Sequence, residues 1–258
     1  RRSSDLFMTA AKLGISVGVS ESTVVRFANE LGFTGYPKLQ KALQELIKNK
    51  LTTVQRIELS NDFITEESAL KGVLKSDMEN IRATLEKINH KTFEDVVNSI
   101  FSAKKIYIIG LRSSTALAEF LGFYLNLILD NVKVVAYGIS DIFEQMINLN
   151  KDDLVIGIGF PRYAARTVES LNFAQNRGAK VVAVTDSLLS PLAARADYTL
   201  IAQSNMASFV DSLVAPLSVI NALIIAVGLR EKEKISKTFS DLEEIWEDYQ
   251  VYSFKESN

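Results

Sequence analysis

From residue 104 onward the chain alternates short β-rich runs with helical stretches, and this alternation constrains the fold more than any other feature. The runs are 105–109, 132–135, 154–158, 180–184 and 198–201, dominated by valine and isoleucine. Helical apolar patterns occupy 114–129, 140–148, 164–177 and 188–195 between and beside them. Strands separated by helices are joined by right-handed crossovers, so the pattern predicts an α/β body: a five-stranded, mostly parallel sheet with helices on both faces. The apolar run 213–229 is broken by Pro216, Ser218 and Asn221 and reads as a buried helix rather than a membrane span.

The first 50 residues carry no strand pattern and predict an all-α head. Charge separates the two parts as well. Residues 1–60 hold nine Lys/Arg against five Asp/Glu, a net of +4, whereas the other 20 bases and 26 acids leave the remainder at −6. A basic head on an acidic body suits a polyanion-binding module joined to a separate domain. Between them, Leu70, Val73, Leu74, Met78, Ile81, Leu85 and Ile88 keep a helical rhythm, so the boundary falls in the stretch 50–90. The division expected is 1–50 for the head, 51–91 for a helical linker, 92–250 for the body and 251–258 for a tail.

Composition removes several chemistries. With no cysteine the chain has no disulfide scaffold, thiolate metal site or cysteine nucleophile, and the single histidine, His90, cannot build a multi-histidine site. No cofactor or metal is expected. The N-terminus, Arg1-Arg2-Ser3-Ser4, lacks the apolar core of a signal peptide, which points to a cytoplasmic protein without a membrane partner.

In the head, the segment 9–32 reads as helix, turn, helix. Gly18 can take the left-handed conformation of a tight inter-helix turn, Val19 can plug the space between the helices, and Ser20 is a good N-cap. Gly14 inside the first helix costs about 1 kcal/mol relative to alanine. Val24, Phe27 and Leu31 recur at helical spacing and are expected to face the core. The opposite face would offer Ser20, Glu21, Ser22, Thr23, Val25, Arg26 and Asn29 to a double-stranded DNA operator. Small polar side chains at a helix N-terminus, followed by an arginine one turn later, suit docking in a major groove. Tyr36 and Lys38, just beyond Gly32, are placed to hold phosphates.

The residues Met8-Thr9, Leu13, Val17 to Phe27, Leu31 to Phe33, Gly35-Tyr36 and Leu39 resemble the N-terminal domain of the RpiR/MurR family of bacterial transcription regulators. That family has a helical segment before this motif, so the head is expected to be N-terminally truncated. Over roughly 92–250 the body resembles the SIS (sugar isomerase) domain of the same family. Its first signature is 108–116, where a strand ends in Gly110 and turns through Arg112, Ser113 and Ser114 into a helix. Backbone N–H groups, hydroxyls and the helix dipole would converge there on an anion, although either serine can equally serve as a plain N-cap.

The second signature departs from the phosphosugar binders, whose Ser-x-Ser-Gly-x-Thr loop is replaced by 159–164. Gly159, Pro161 and Ala164 stand at the three hydroxyl positions, and Arg162 and Arg166 offer guanidinium groups instead. Phe160-Pro-Arg-Tyr163 resembles a subgroup of the regulators. The third signature, 181–187, puts Thr185 and Ser187 at a strand's carboxyl end, with Asp186 either capping the next helix or touching a ligand. The resemblance adds Ser208 and Asp211, before the apolar helix, as pocket candidates.

The helix at 115–129 is apolar almost all round and reads as a dimer element, matching a palindromic operator. Three functions stay open. In the first, the chain is a regulator whose body senses a phosphorylated sugar or related anion. In the second it is a phosphosugar isomerase, for which His90, Glu119 and Glu169 offer no evident base in the strand-end loops. In the third it is a DNA-binding head on a ligand-free dimerisation body.

Overall fold

The computed structural model describes residues 8–48, 54, 66–138, 140–206 and 209–252. Ser208, most of the stretch 49–65 and residues 253–258 of the tail lie outside the described residues. The chain forms two compact units that part between Val73 and Leu74, the second comprising 74–205 and 211–258.

The first unit holds three helices, α1 (Ala10–Val17), α2 (Glu21–Glu30) and α3 (Tyr36–Lys48). Thr9 caps α1 by accepting from Lys12 N at 3.3 Å, and Ser20 caps α2 by accepting from Thr23 N at 3.2 Å. Gly18 adopts φ 75°, the left-handed C-terminal cap on which the tight turn depends. Gly14 is not the weak point its helix propensity predicts. A Cβ there would lie 2.6 Å from the Val19 carbonyl oxygen, so the turn folds back against α1 only because residue 14 is glycine.

The buried stripe of α2 also differs from the sequence expectation. Val24 and Ala28 are buried beside Ala10, Tyr36 and Leu39, and Val25 packs against them. Phe27 and Leu31 are 58% and 52% exposed, and Val19 is exposed too. Ala28, with its single methyl, lets the neighbouring helices approach at that position, which rotates the buried face away from 27 and 31.

In the second unit, α4 (Ala69–Lys87, from Leu74 on) and α5 (His90–Ser102) precede a sheet of β1 (Ile106–Gly110), β2 (Val132–Val135), β3 (Leu154–Ile158), β4 (Lys180–Thr185) and β5 (Tyr198–Ile201). The order is β2-β1-β3-β4-β5 and every pairing is parallel. The connecting helices are α6 (Thr115–Ile128), the single turn α7 (Ile142–Gln145) and α8 (Ala165–Asn176); α9 (Val214–Arg230) and α10 (Lys232–Asp248) follow the sheet. The predicted helix at 188–195 is reduced to a 3-10 turn, Ala193–Arg195.

Alternate strand residues feed two cores. Ile106, Ile108, Ile156 and Val182 pack with α5, α6 and α9 on one face. Tyr107, Ile109, Val155 and Val181 pack with α7 and α8 on the other. Burial on both faces explains the unbroken apolar runs of β1 and β3, which the edge strands β2 and β5 lack. Among the described residues no single helix is long and apolar enough to cross a membrane. In α6 the buried residues are Leu117, Ala118, Leu121, Gly122, Leu125 and Ile128, while the outer stripe of Glu119, Phe123 and Asn126 is mixed rather than apolar.

Candidate ligand crevice and helix-turn-helix face

The chain leaves β1 toward β2 on one side and later enters β3 on the other side of β1, so β1 and β3 are adjacent strands whose connections diverge. Gly110 pairs with Ile158 at their carboxyl ends. From there α6 passes to one face of the sheet and α8 to the opposite face. Open parallel sheets bind ligands in the crevice such a reversal leaves.

Two loops line this crevice. The first, after β1, makes a 3-10 turn over Arg112–Ser114 with Arg112 at φ 60°. Gly110 is essential to it, because a Cβ would stand 2.6 Å from the Ser114 carbonyl oxygen. Ser114 is buried at the N-cap of α6 and its side chain makes no capping hydrogen bond; Ser113 and Arg112 are exposed. Plain N-capping, one of the two readings of these serines, is therefore not what Ser114 does.

The second loop, after β3, is pinned at both ends. Phe160 is buried in the core beside α6 and α9, whereas Tyr163 packs against the core on the other face. Arg162 stands exposed between them with φ 64°. Apart from Gln250 near the C-terminal end, Arg112 and Arg162 are the only non-glycine residues of positive φ among the described residues. Such backbone persists where surrounding structure imposes it, commonly at ligand sites. Ala164 gives α8 no side-chain cap. The start of α8 thus joins that of α6 as a second helix N-terminus without a side chain over its free N–H groups, the arrangement that attracts anions. Thr167, in the first turn of α8, is buried and its hydroxyl has no partner among the described residues. The absent loop serine also has a steric reason, since a Cβ at Gly159 would lie 2.8 Å from the buried Leu192.

The loop after β4 completes the rim. Thr185 is fully buried at the strand end, and both its hydroxyl (3.3 Å) and that of Tyr163 (2.7 Å) bond Asp186 Oδ1. Asp186 thus ties two loops together rather than capping a helix. Ser187 Oγ accepts from Leu189 N at 3.1 Å, a local turn bond. Arg166 is drawn to Phe143 (5.4 Å to the ring) and to Glu169 (3.5 Å), which engage it outside the loop. Asp211 is half-buried before α9.

Sequence reasoning missed the tie behind this rim. Gln203 Nε2 donates to the Asp186 carbonyl at 2.9 Å, Lys87 Nζ donates to Gln203 Oε1 at 3.2 Å, and Gln203 N donates to Thr84 Oγ1 at 2.8 Å. No motif announces these residues; only the polar positions hidden in α4 gave a signal.

In the head, Glu21, Ser22, Thr23, Arg26 and Lys38 are exposed. Ser20 Oγ is within 2.8 Å of Ser22 Oγ and 2.9 Å of Thr23 Oγ1. Three candidates differ from expectation. Asn29 Oδ1 accepts from Gly35 N at 3.0 Å and holds the turn between α2 and α3. Val25 is half-buried against the core. Tyr36 is buried, and its hydroxyl donates to the Met8 carbonyl at 3.1 Å instead of facing solvent; burial raises its pKa above the ordinary phenol value.

A helix-turn-helix family model described as "rpiR family" matches residues 7–50, and the SIS domain model matches 99–226. The crystal structure of an RpiR transcription factor from Sphaerobacter thermophilus (sugar isomerase domain) is 31% identical, with TM-score 0.66, over 69% of this chain and 99% of that one. The chain belongs to the rpiR family. An uncharacterized HTH-type transcriptional regulator of Haemophilus influenzae, another relative, is 31% identical over 71% of this chain; the match spans 64% of that protein's length. The Vibrio vulnificus NanR protein, solved in complex with ManNAc-6P, shares the fold at 18% identity and TM-score 0.59, over 96% of this chain and 88% of that one. The sheet and its helices are thus the SIS fold of rpiR-family proteins, and α1 to α3 are their helix-turn-helix region.

Proposed function

We propose that this rpiR-family chain is a DNA-binding transcription regulator whose SIS body binds a phosphorylated sugar or amino sugar in the β1/β3 crevice. The observation that carries the ligand reading is the pair of helix N-termini, α6 and α8, which diverge from adjacent strand ends with no side-chain cap. Each is preceded by an arginine held in left-handed backbone. Together they offer backbone N–H groups, the Ser113 and Ser114 hydroxyls and two guanidinium groups to one anion. NanR, with the same fold, binds ManNAc-6P, which supports the ligand class.

The head, over 1–50, would read an operator through the exposed start of α2, with Glu21, Ser22, Thr23 and Arg26 toward the bases and Lys38 on a phosphate. The interior positions of Tyr36 and Val25, and the turn bond of Asn29, argue for structural roles at those three sites. Ligand binding would alter operator affinity by a coupling of about 1–3 kcal/mol. A regulator acting in the cytoplasm as a homodimer, with no cofactor, fits this reading.

An isomerase needs a base beside the substrate carbonyl. His90 stands at the start of α5, 3.4 Å from Glu94, and Glu169 is engaged by Arg166, so sensing is favoured over catalysis. The test is selection of binding sites from a random duplex library, followed by titration of the selected duplex with and without sugar phosphates. A selected sequence whose affinity shifts with a phosphosugar supports the proposal. Turnover of the sugar, with no selected sequence, would overturn it.

A further inference from the structure

Three buried side-chain atoms have no hydrogen-bond partner among the described residues: Asp153 Oδ1, Thr167 Oγ1 and Ser204 Oγ. An unpaired buried polar group bears its full desolvation cost, so each calls for a reason. Asp153 stands just before β3, at the end of the sheet away from the crevice, and its other oxygen accepts from Asn150 N and Nδ2. Ser204 follows β5, two strands from β3. Of the three, only Thr167 belongs to an element that lines the crevice.

Thr167 is 1% exposed, in the first turn of α8. Buried hydroxyls in other helical turns are satisfied locally. Thr84, Ser99 and Ser170 each donate to the carbonyl four residues back, at 2.7, 2.8 and 2.7 Å. The residue four back from Thr167 is Tyr163, which lies in the loop before the helix, so that outlet is closed.

Its position follows from Leu171, one turn later on the same helix face. Leu171 covers Gly157, where an added Cβ would lie 2.6 Å from Leu171 Cδ2. Helix α8 returns along the sheet between the parallel strands β3 and β4, so its start lies at the carboxyl end of β3. One helical turn is about 5.4 Å and two strand residues span about 6.6 Å, which sets Thr167 level with Gly159, beneath the 159–164 loop. No side chain caps the helix start beside it. The Tyr163 hydroxyl is taken by Asp186, and no other residue of that loop carries a hydroxyl.

We propose that the Thr167 hydroxyl is a ligand contact, donating to a phosphoryl oxygen of the anion that seats on the start of α8. This rests on the phosphosugar reading of the crevice and gives that site the donor at its floor. The unliganded fold carries an unpaired hydroxyl because the anion, when bound, pairs it.

Thr167→Val keeps the shape of the side chain and removes the hydroxyl, whereas Thr167→Ser keeps the hydroxyl. Full-length parent and variants are unfolded in urea without ligand. Each is then titrated by thermal shift with inorganic phosphate and with hexose and aminohexose phosphates, chloride holding the ionic strength. The Val variant should be at least as stable as the parent without ligand, yet need about tenfold more of the phosphorylated probes for half-saturation. The Ser variant should stay within about threefold of the parent. A Val variant that binds these probes like the parent overturns the contact, and so does a Ser variant that binds no better than Val. Weak binding by a Val variant that also unfolds at lower urea overturns it too, because the hydroxyl then pairs within the fold or with a structural water. A parent that responds to no phosphorylated probe overturns the crevice reading and the contact with it, so the two failures are told apart by the parent alone.

Discussion

The Tyr163 hydroxyl donates to Asp186 Oδ1 at 2.7 Å, joining the loop after β3 to the loop after β4 across the mouth of the crevice. Tyr163 is also packed against the core under α7 and α8, so one side chain both anchors the Arg162 loop and orients the next one. A hydrogen bond to a charged acceptor contributes about 1.5–3 kcal/mol.

Tyr163→Phe therefore keeps the packing and loses the tie. Thermal unfolding should fall by several degrees, at roughly 2–4 °C per kcal/mol for a domain of this size. Calorimetric titration should also show weaker phosphosugar binding, because Arg162 is released. An unchanged affinity would separate the loop from the ligand.

Gly110→Ala places a methyl 2.6 Å from a backbone oxygen of Ser114, an atom with no side-chain freedom to move away. The strain should cost about 1–3 kcal/mol of stability, measured by urea unfolding. Gly138→Ala is the control, since nothing lies within 4 Å of a Cβ there.

Tyr36 gives the head an alkaline limit. Burial raises its folded pKa above the ordinary value, so the unfolded chain ionises first as pH passes about 10. The associated stability is full below that pH and is lost as pH rises toward the folded value. Tyr36→Phe should lower stability at neutral pH by about 0.5–1.5 kcal/mol, through the lost bond to Met8, yet flatten the decline above pH 10. Circular dichroism melts from pH 8 to 11 compare the two slopes.

Arg26→Ala should cost about 1–3 kcal/mol on a selected operator and relax its sequence preference, while Lys38→Ala should weaken all duplexes alike and reduce the salt slope by about one. Anisotropy titrations across a salt series distinguish them. Equal, sequence-independent losses for both variants would move the recognition surface away from the start of α2.

The inner strands β1, β3 and β4 were legible because they are buried on both faces, which leaves runs such as Ile106–Gly110 with no polar alternation to confuse; the edge strands β2 and β5 are only partly buried and were read from their β-branched residues. Ser20 and Gly18 were legible because a cap and a left-handed turn demand those residue types. Rotation about a helix axis was not. Phe27 is more apolar than Ala28, yet Ala28 is buried, because close approach of neighbouring helices favours the smaller side chain. The same blindness applies to α4, where the apolar rhythm is correct but the buried residues are Asn80 and Thr84. At the crevice, strand-end position singles out Gly110, Ser114 and Arg162 as candidates, whereas the Tyr163–Asp186 and Gln203–Asp186 bonds join residues 23 and 17 apart and Gln203 meets Lys87 and Thr84 across 116 and 119, which no local pattern encodes.

A thermal-shift panel pairing each sugar phosphate with its unphosphorylated parent asks whether the β1/β3 crevice binds a phosphorylated sugar. A ligand at about a hundred times its Kd adds roughly 2.7 kcal/mol of stability, worth several degrees. At least one phosphorylated sugar should raise the melting temperature, its parent should not, and the shift should be lost in Ser114→Ala. A shift equal for sugar and sugar phosphate, or one undiminished in that variant, would contradict phosphosugar binding in the crevice.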